Sequence, residues 1–534
     1  MAEMDLAQLI TQSTGVVASG DAETITAVSR DASAFIVTPQ AVAFPKNAAE
    51  IGALVRWVSK EHERGQAISL TPRAGGTDMS GGPLTQSIVV SMEQFDASVS
   101  IDAEAKTALV SMGAMYRDLE KEATAHGLLF GAYTSSKDIC GVAGMIGNNA
   151  SGEKSVRFGA TIDNTNRIWA VLSDGTEYEF GPLSREEFNR KQEGDSTEAK
   201  LYQSINEMLA QSPDSIASLK GAAPKCASGY RLERIYNTSS DSYNLAKLFV
   251  GSQGTLGIIT KAEMALVSQS AYERLIVASV SDLSQLTDIL QTVMAHSPEG
   301  VETFDIHTFE RAKEFLPEET AVVAPVIADA GLVILGQFAG DEKEAVDQSA
   351  QAAADALIQK GCRVSYVDDA RMHRSIWKIR RSSYGVFRDH KEGTKHAVPC
   401  IEDIIVPIAR FGDFIPRLIA ILAERDIAYG FHGHIGDGAL RIIPVFDMAD
   451  LKTPERIVDL MRAVFALVKE LGGNMSADHS DGIIRTPFLA EFYPPEVMTL
   501  FGQVKHIFDP LNIFNPGKKI GGTIAAITDH LIRS

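Results

Sequence analysis

Short β-branched runs separated by glycine-rich turns fill the chain between about Val42 and Val267. Ser87-Ile-Val-Val-Ser91, Ala108-Leu-Val-Ser111 and Ile168-Trp-Ala-Val-Leu172 read as strands, and amphipathic stretches such as Ile51-Gly-Ala-Leu-Val-Arg-Trp-Val58 read as helices between them. From about Ala271 the pattern changes. Apolar strands such as Gly331-Leu-Val-Ile-Leu335 are followed by long Ala/Asp/Glu-rich helices such as Glu342 to Lys360, which predicts a sheet with helices packed on one face. Ser184 to Lys200 is charged and poor in turns, a helical excursion with a solvated surface. Prolines and asparagines punctuate Phe508 to Gly517, so this stretch reads as an ordered tail rather than a helix. The expected fold class is α+β: a helical segment 1–40, a first domain 41–268, a second domain 269–505 and a tail 506–534. No internal repeat or low-complexity tract stands out.

The bulk numbers agree with two domains, since 534 residues with 45% hydrophobic composition exceed what one core usually organises. Cys140, Cys226, Cys362 and Cys400 lie far apart without a Cys-x-x-Cys pair, which suggests neither a disulfide framework nor an iron–sulfur cluster and fits a reducing compartment. The opening Met-Ala-Glu-Met-Asp-Leu lacks the basic and apolar regions of a secretory signal, and no apolar run reaches about 18 residues. A formal charge of -19 without a Lys/Arg-rich run argues against nucleic acid. The expected location is the cytoplasm or the periphery of a membrane, with small molecules or another protein as partners.

Two glycine-rich segments carry the first chemistry. Pro72-Arg73-Ala74-Gly75-Gly76-Thr77-Asp78-Met79-Ser80-Gly81-Gly82 follows a β-type run, Ala67 to Thr71. Its backbone N–H groups can converge on a pyrophosphate, because glycine permits positive φ and close approach; an ordinary tight turn would look the same. The second segment, Cys140 to Gly152, contains Gly141, Gly144, Met145, Asn149 and Ala150. Two such segments in one domain suggest a long dinucleotide laid against backbone. Neither is the Gly-x-Gly-x-x-Gly of a nicotinamide site, and Glu153 between Gly152 and Lys154 spoils a phosphate-binding loop.

These segments, with Gly251-Ser-Gln-Gly-Thr-Leu-Gly-Ile-Ile-Thr260 and the tail Asn515-Pro-Gly-Lys518, make the chain resemble the vanillyl-alcohol oxidase and para-cresol methylhydroxylase (PCMH) superfamily of flavoproteins. Within it the resemblance is to the D-lactate, glycolate and D-2-hydroxyglutarate dehydrogenase branch. It implies a PCMH-type domain in two subdomains that binds flavin adenine dinucleotide (FAD), a ferredoxin-like α+β cap domain for substrate, and a tail returning to the FAD domain. It also implies FAD contacts from Pro72 to Asp78, Ser80, Ser136, Gly141, Gly144, Met145, Asn149, Ala150, Gly152 and Asn515, with Gly257 and Ile258 near the other half of the cofactor. Relatives with covalent flavin often carry histidine where this loop has Thr77, so FAD is expected to be held non-covalently.

Hydride removal from a 2-hydroxy acid needs a cation for the carboxylate and a base for the hydroxyl proton, both set before the flavin N5. Phe431-His432-Gly433-His434-Ile435-Gly436-Asp437-Gly438-Ala439-Leu440-Arg441 and Ser476-Ala477-Asp478-His479-Ser480-Asp481-Gly482 cluster histidines among glycines and carboxylates. The resemblance implies His479 as base. It also implies Arg380, of Trp377-Lys-Ile-Arg380, as the carboxylate's partner. Relatives commonly read His-x-Gly-Asp-Gly-Asn-x-His and Glu-His-Gly here, and two histidines plus the glutamate can hold a divalent metal. This chain has Ala439, Arg441 and Asp478 instead, which leaves His434 and Asp478 as the remaining ligands, too few for a tight site. No metal is expected. Arg441 would supply the positive charge in place, pairing with Asp478 or holding a substrate oxygen; a purely structural ion pair is the competing reading. Glu402 and Asp403 read as structural carboxylates, and Lys395 and His396 as neighbours of the pocket.

The sequence therefore points to a flavin-linked 2-hydroxy acid dehydrogenase with a separate electron acceptor: a quinone, a cytochrome or an electron-transfer protein. An oxidase of the same fold, using dioxygen or acting on another alcohol, and a flavin subunit of an electron-transfer complex remain alternatives. The particular acid and the oligomeric state are not written in these motifs.

Overall fold

A computed structural model describes residues 5–327, 331–390 and 392–533. The first half is built around two main sheets, with two small ones beside them. In the smaller main sheet, Ile88–Ser91 lies parallel to both Ala41–Ala43 and Leu70–Arg73, and Leu70 bridges onward to Phe514 of the tail. The larger is antiparallel, in the order Val99–Asp102, Thr107–Ser111, Ile258–Ala265, Thr165–Val171, Glu177–Phe180. Helix Ala48–Glu63 starts where Asn47 accepts the Glu50 N–H, and it buries Ile51, Leu54, Val55 and Val58 at helical spacing.

The charged excursion forms helices Arg185–Arg190 and Thr197–Gln211, the first opened by a reciprocal Ser184/Glu187 cap. These elements share one continuous core, to which helix Pro495–Phe508 and the tail also contribute through Phe501, Phe508 and Phe514.

The second half is an antiparallel eight-stranded sheet with Tyr272–Val280, Leu332–Gly340, Gly300–Asp305, Ala428–Gly433 and Ala439–Asp447 at its centre. Helices cover both of its faces, not one as expected. In Tyr272–Val280, Leu275 and Val277 pack with Phe309 and Trp377 of one layer, whereas Ile276 and Ala278 pack with Val346 and Leu357 of the other. Side chains alternate across a strand, so a run that is apolar at every position needs cover on both sides. Among the described residues, no helix is long and apolar enough to cross a membrane.

Candidate active site

A cavity runs between the glycine-rich segments and ends at the second domain. Its wall contains Pro72 through Asp78, Ser136, Gly144, Met145 and Ala150, with Asp478 and His479 at the far end. Small residues bring backbone close to this space. A Cβ on Gly75 would stand 2.6 Å from the Ile139 carbonyl, and Gly76 has φ +66°. Arg73 donates through Nη2 to the Arg30 carbonyl, while its Nη1 is buried without a partner, an unspent donor for an anion.

Other expected contacts support the wall from behind. Ser80 and the Gly82 N–H both donate to Asp78. Gly141 packs on Ala74, Asn149 takes a left-handed turn and accepts from the Ile162 N–H, and Gly152 lies against the Tyr133 carbonyl. Asn515 ties the Gly82 and Gln253 carbonyls together. Gly257 and Ile258 do not reach the cavity. Gly257 fits against the Val171 carbonyl and Ile258 starts a strand with its side chain in the core, so Gly254 and Ile259 form the wall there instead.

The second domain brings its charged residues to the far end through two devices. The hairpin of Ala428–Gly433 and Ala439–Asp447 sets His432 opposite Arg441, its turn closed by Gly438 at φ +82°, where a Cβ would meet the Val406 carbonyl at 2.1 Å. Strand Ile401–Ile405 pairs with Ala439–Asp447 irregularly between Ile401 and Ile404, and Glu402 and Asp403 both contact the Ser476–His479 loop from this interruption. Such bulges re-aim side chains. Asp403 clamps that loop by accepting from the Asp478 and His479 N–H groups and the Ser476 hydroxyl. The Glu402 and Asp403 carboxylates thus position the loop and the His479 ring, a larger part than structural packing.

Arg441 is the hub. It donates to Asp478 at 2.9 Å, to His434 Nε2 at 3.2 Å and to His479 Nε2 at 2.5 Å, and it lies 3.5 Å from Glu402. His479 Nδ1 meets Glu402 at 2.8 Å, and His434 Nδ1 meets Glu302 at 2.7 Å. Both rings thereby take the tautomer with the proton on Nδ1 and the Nε2 lone pair toward Arg441. Arg380 is buried and pairs with Glu302 at 2.5 Å, its Nε without a partner.

Lys225 joins the two domains. Its Nζ reaches Ser151 at 2.8 Å, Ser155 at 3.1 Å and Asp437 at 2.9 Å. Glu302 and Lys225 were not singled out from the sequence. Glu302 could have been, as an acid between Val301 and Phe304 in the fully buried strand Gly300–Asp305, whereas nothing around Lys225 marks it. Lys395 and His396 instead form a short edge strand paired with Asp447 and Phe446, and Lys395 bonds Glu392 there.

The ionisation states follow from this packing. Burial would push the Asp478 carboxyl up, but Arg441 and Lys225 hold it well below the usual range. Burial likewise opposes Glu402, yet His479 and Arg485 bring it to about 2. Asp403 is pushed up to about 7, first by burial and then by Asp478. Burial drives His434 and His432 below the ordinary imidazole value. His479 moves the other way. Burial and Arg441 pull it down, but Glu402 and Asp403 outweigh them and raise it.

Fold and site together define a two-domain flavoprotein with a charged pocket facing the cofactor groove. Residues 39–181 match the FAD binding domain family, and residues 269–519 match the FAD linked oxidases, C-terminal domain, so the chain joins an FAD-binding domain to a C-terminal domain of the FAD-linked oxidase type. It is similar to D-2-hydroxyglutarate dehydrogenase of Escherichia coli (28% identical over 95% of this chain and 50% of that protein). It is also similar to glycolate oxidase subunit GlcD of Bacillus subtilis (26%, 90% and 88%) and D-lactate dehydrogenase of Archaeoglobus fulgidus (25%, 91% and 93%).

The chain spans about half the length of the D-2-hydroxyglutarate dehydrogenases that head these relatives. In fold it resembles 4-ethylphenol oxidase from Gulosibacter chungangensis (TM-score 0.69, 15% identity, 96% of each chain) and p-cresol methylhydroxylase (0.66, 13%, 95% of this chain and 94% of that one). The architecture is therefore PCMH-type, and the cofactor is FAD. The groove fits it: backbone stripped of side chains lines the floor, and the unpaired Arg73 Nη1 matches a pyrophosphate.

A divalent metal fits poorly. The guanidinium of Arg441 already takes the His434, His479 and Asp478 lone pairs that would bind one. Glu402, Asp403 and His479 also offer ligand atoms within 4.8 Å of one another, but these are committed to Arg485, the Asp478 N–H and Arg441.

Proposed function

We propose that the chain oxidises a small 2-hydroxy acid to the 2-oxo acid and passes the electrons to a separate acceptor. The observation that carries this reading is His479 on the wall of the FAD groove, with its Nδ1 proton on Glu402 and an imidazole edge at the pocket. FAD, when bound, supplies the hydride acceptor. His479 accepts the hydroxyl proton at Nε2 once the substrate hydroxyl takes the place of the Arg441 N–H on that lone pair, and Glu402 stabilises the imidazolium that forms. Arg380 holds the substrate carboxylate once Glu302 yields part of the pair, its free Nε being the donor in reserve. Arg441 keeps the hydroxyl oxygen in positive potential while the proton leaves. Relatives named for D-2-hydroxyglutarate, D-lactate and glycolate support this substrate class. Thr77 stands in the loop where a histidine would allow a covalent bond, and FAD is held non-covalently by bare backbone and Arg73.

Holoprotein mixed anaerobically with D-lactate, glycolate or D-2-hydroxyglutarate tests the reading. Loss of flavin absorbance with one of them is expected, and acid precipitation should leave all flavin in the supernatant. Yellow protein that no hydroxy acid bleaches would make the chain an electron-transfer subunit. Bleaching that yields peroxide under air would make it an oxidase.

A further inference from the structure

We infer that Arg441 is a built-in cation seated where the side chains around it would otherwise hold a divalent metal ion, so that the protein works metal-free and one exchange opens a metal site. The environment is built as a ligand set. His434 is oriented by Glu302 and His479 by Glu402, each through Nδ1, the carboxylate–histidine arrangement that turns a ring's Nε2 lone pair outward for a cation. Asp478 completes the set, its oxygens 3.8 Å from His434 Nε2 and 3.8 Å from His479 Nε2. Tetrahedral coordination at zinc bond lengths separates ligand atoms by about 3.3 Å, so both histidines must close on Asp478 once the guanidinium between them is gone. All three lone pairs meet one guanidinium instead. Arginine has no lone pair to offer a metal and cannot leave its charge behind.

The charge balance points the same way. Glu302, Glu402, Asp437 and Asp478 face Lys225, Arg380, Arg441 and Arg485, and Asp403, the fifth acid, is pushed up to about 7. The buried cluster is thus near neutral with Arg441 in place, and a dication added to it would be an uncompensated buried charge. Exchanging Arg441 for histidine removes one positive charge and adds a lone pair. That leaves an anionic pocket with His434, Asp478, His479 and the new imidazole around one point.

Elemental analysis of FAD-loaded protein dialysed first against chelator and then against zinc or manganese buffer tests this inference independently of any substrate. Wild type should retain at most about a tenth of an ion per flavin, and Arg441→His about one. Adding His434→Leu to Arg441→His should return the content to the wild-type level. One ion per flavin in wild type after chelator treatment would overturn the inference, and so would an Arg441→His variant that takes up no more metal than wild type. Should that variant fail to fold, the wild-type content still decides. Retained flavin reduction by substrate in chelator-treated wild type supports the inference, whereas reduction restored only by added metal contradicts it.

Discussion

His479 shows how a single imidazole is set by its contacts. Its raised pKa means that the proton stays on to higher pH than the ordinary value near 6.5, so the basic form is lost as pH falls. If it is the base, flavin reduction by substrate rises with pH through a midpoint above about 6.5. His479→Ala should keep FAD yet slow reduction by about two orders of magnitude, with the pH dependence gone. Glu402→Gln removes the carboxylate that raises this pKa and should move the midpoint down. Stopped-flow reduction across pH reads all three. A normal rate in His479→Ala, or an unmoved midpoint in Glu402→Gln, would remove these roles.

At the level of elements, the groove depends on where side chains are missing. Gly144 lines the cavity, and a Cβ there would meet only the Ala74 methyl, at 3.6 Å. Gly144→Ala should therefore leave the apoprotein's thermal transition unchanged, while its methyl group intrudes on the cofactor and weakens FAD by about tenfold or more. Titration of apoprotein with FAD decides, and unchanged affinity would show that the cofactor does not pass Gly144.

This groove was legible in the sequence because its chemistry is local: small residues in a row leave backbone bare. The same holds for His434, Arg441, Asp478 and His479, which sit among glycines or acids in two short segments. Glu302 and Lys225 were not legible, because their roles arise only when strand Gly300–Asp305 and the loop at Lys225 meet partners more than a hundred residues away. Gly257 and Ile258 were displaced by Gly254 and Ile259 for a similar reason. The strand starting at Ile258 pairs with Thr165–Val171 and turns its first side chain into the core. The second sheet's double cover was written in its all-apolar strands, but a run without alternation does not say how many layers surround it.

For the whole molecule, the tail is a lock on both domains. Lys519 is fully buried, with its ammonium on Asp481 at 2.8 Å and on the Ala227 and Gly229 carbonyls at 2.8 and 3.0 Å. Asp481 also accepts the Gly229 N–H, and its neighbour Ser480 bonds the Ala227 and Gly251 carbonyls, so the segment carrying His479 is fixed to the first domain from behind. Burial lowers the Lys519 pKa and Asp481 opposes that, which marks the pair as one that holds only while both partners are present. Lys519→Met leaves Asp481 charged and buried, a loss of about 3–5 kcal/mol when one partner of such a pair is removed. The lowered thermal midpoint should come with slower flavin reduction, because the segment carrying His479 loses one of its anchors. Lys519→Met with Asp481→Leu removes the stranded charge and should recover much of the stability, but not the rate, since the Gly229 N–H loses its acceptor and the loop keeps only its Ser480 and Asp403 contacts. A double variant as unstable as Lys519→Met alone would show that the tail acts through packing rather than through this charge pair.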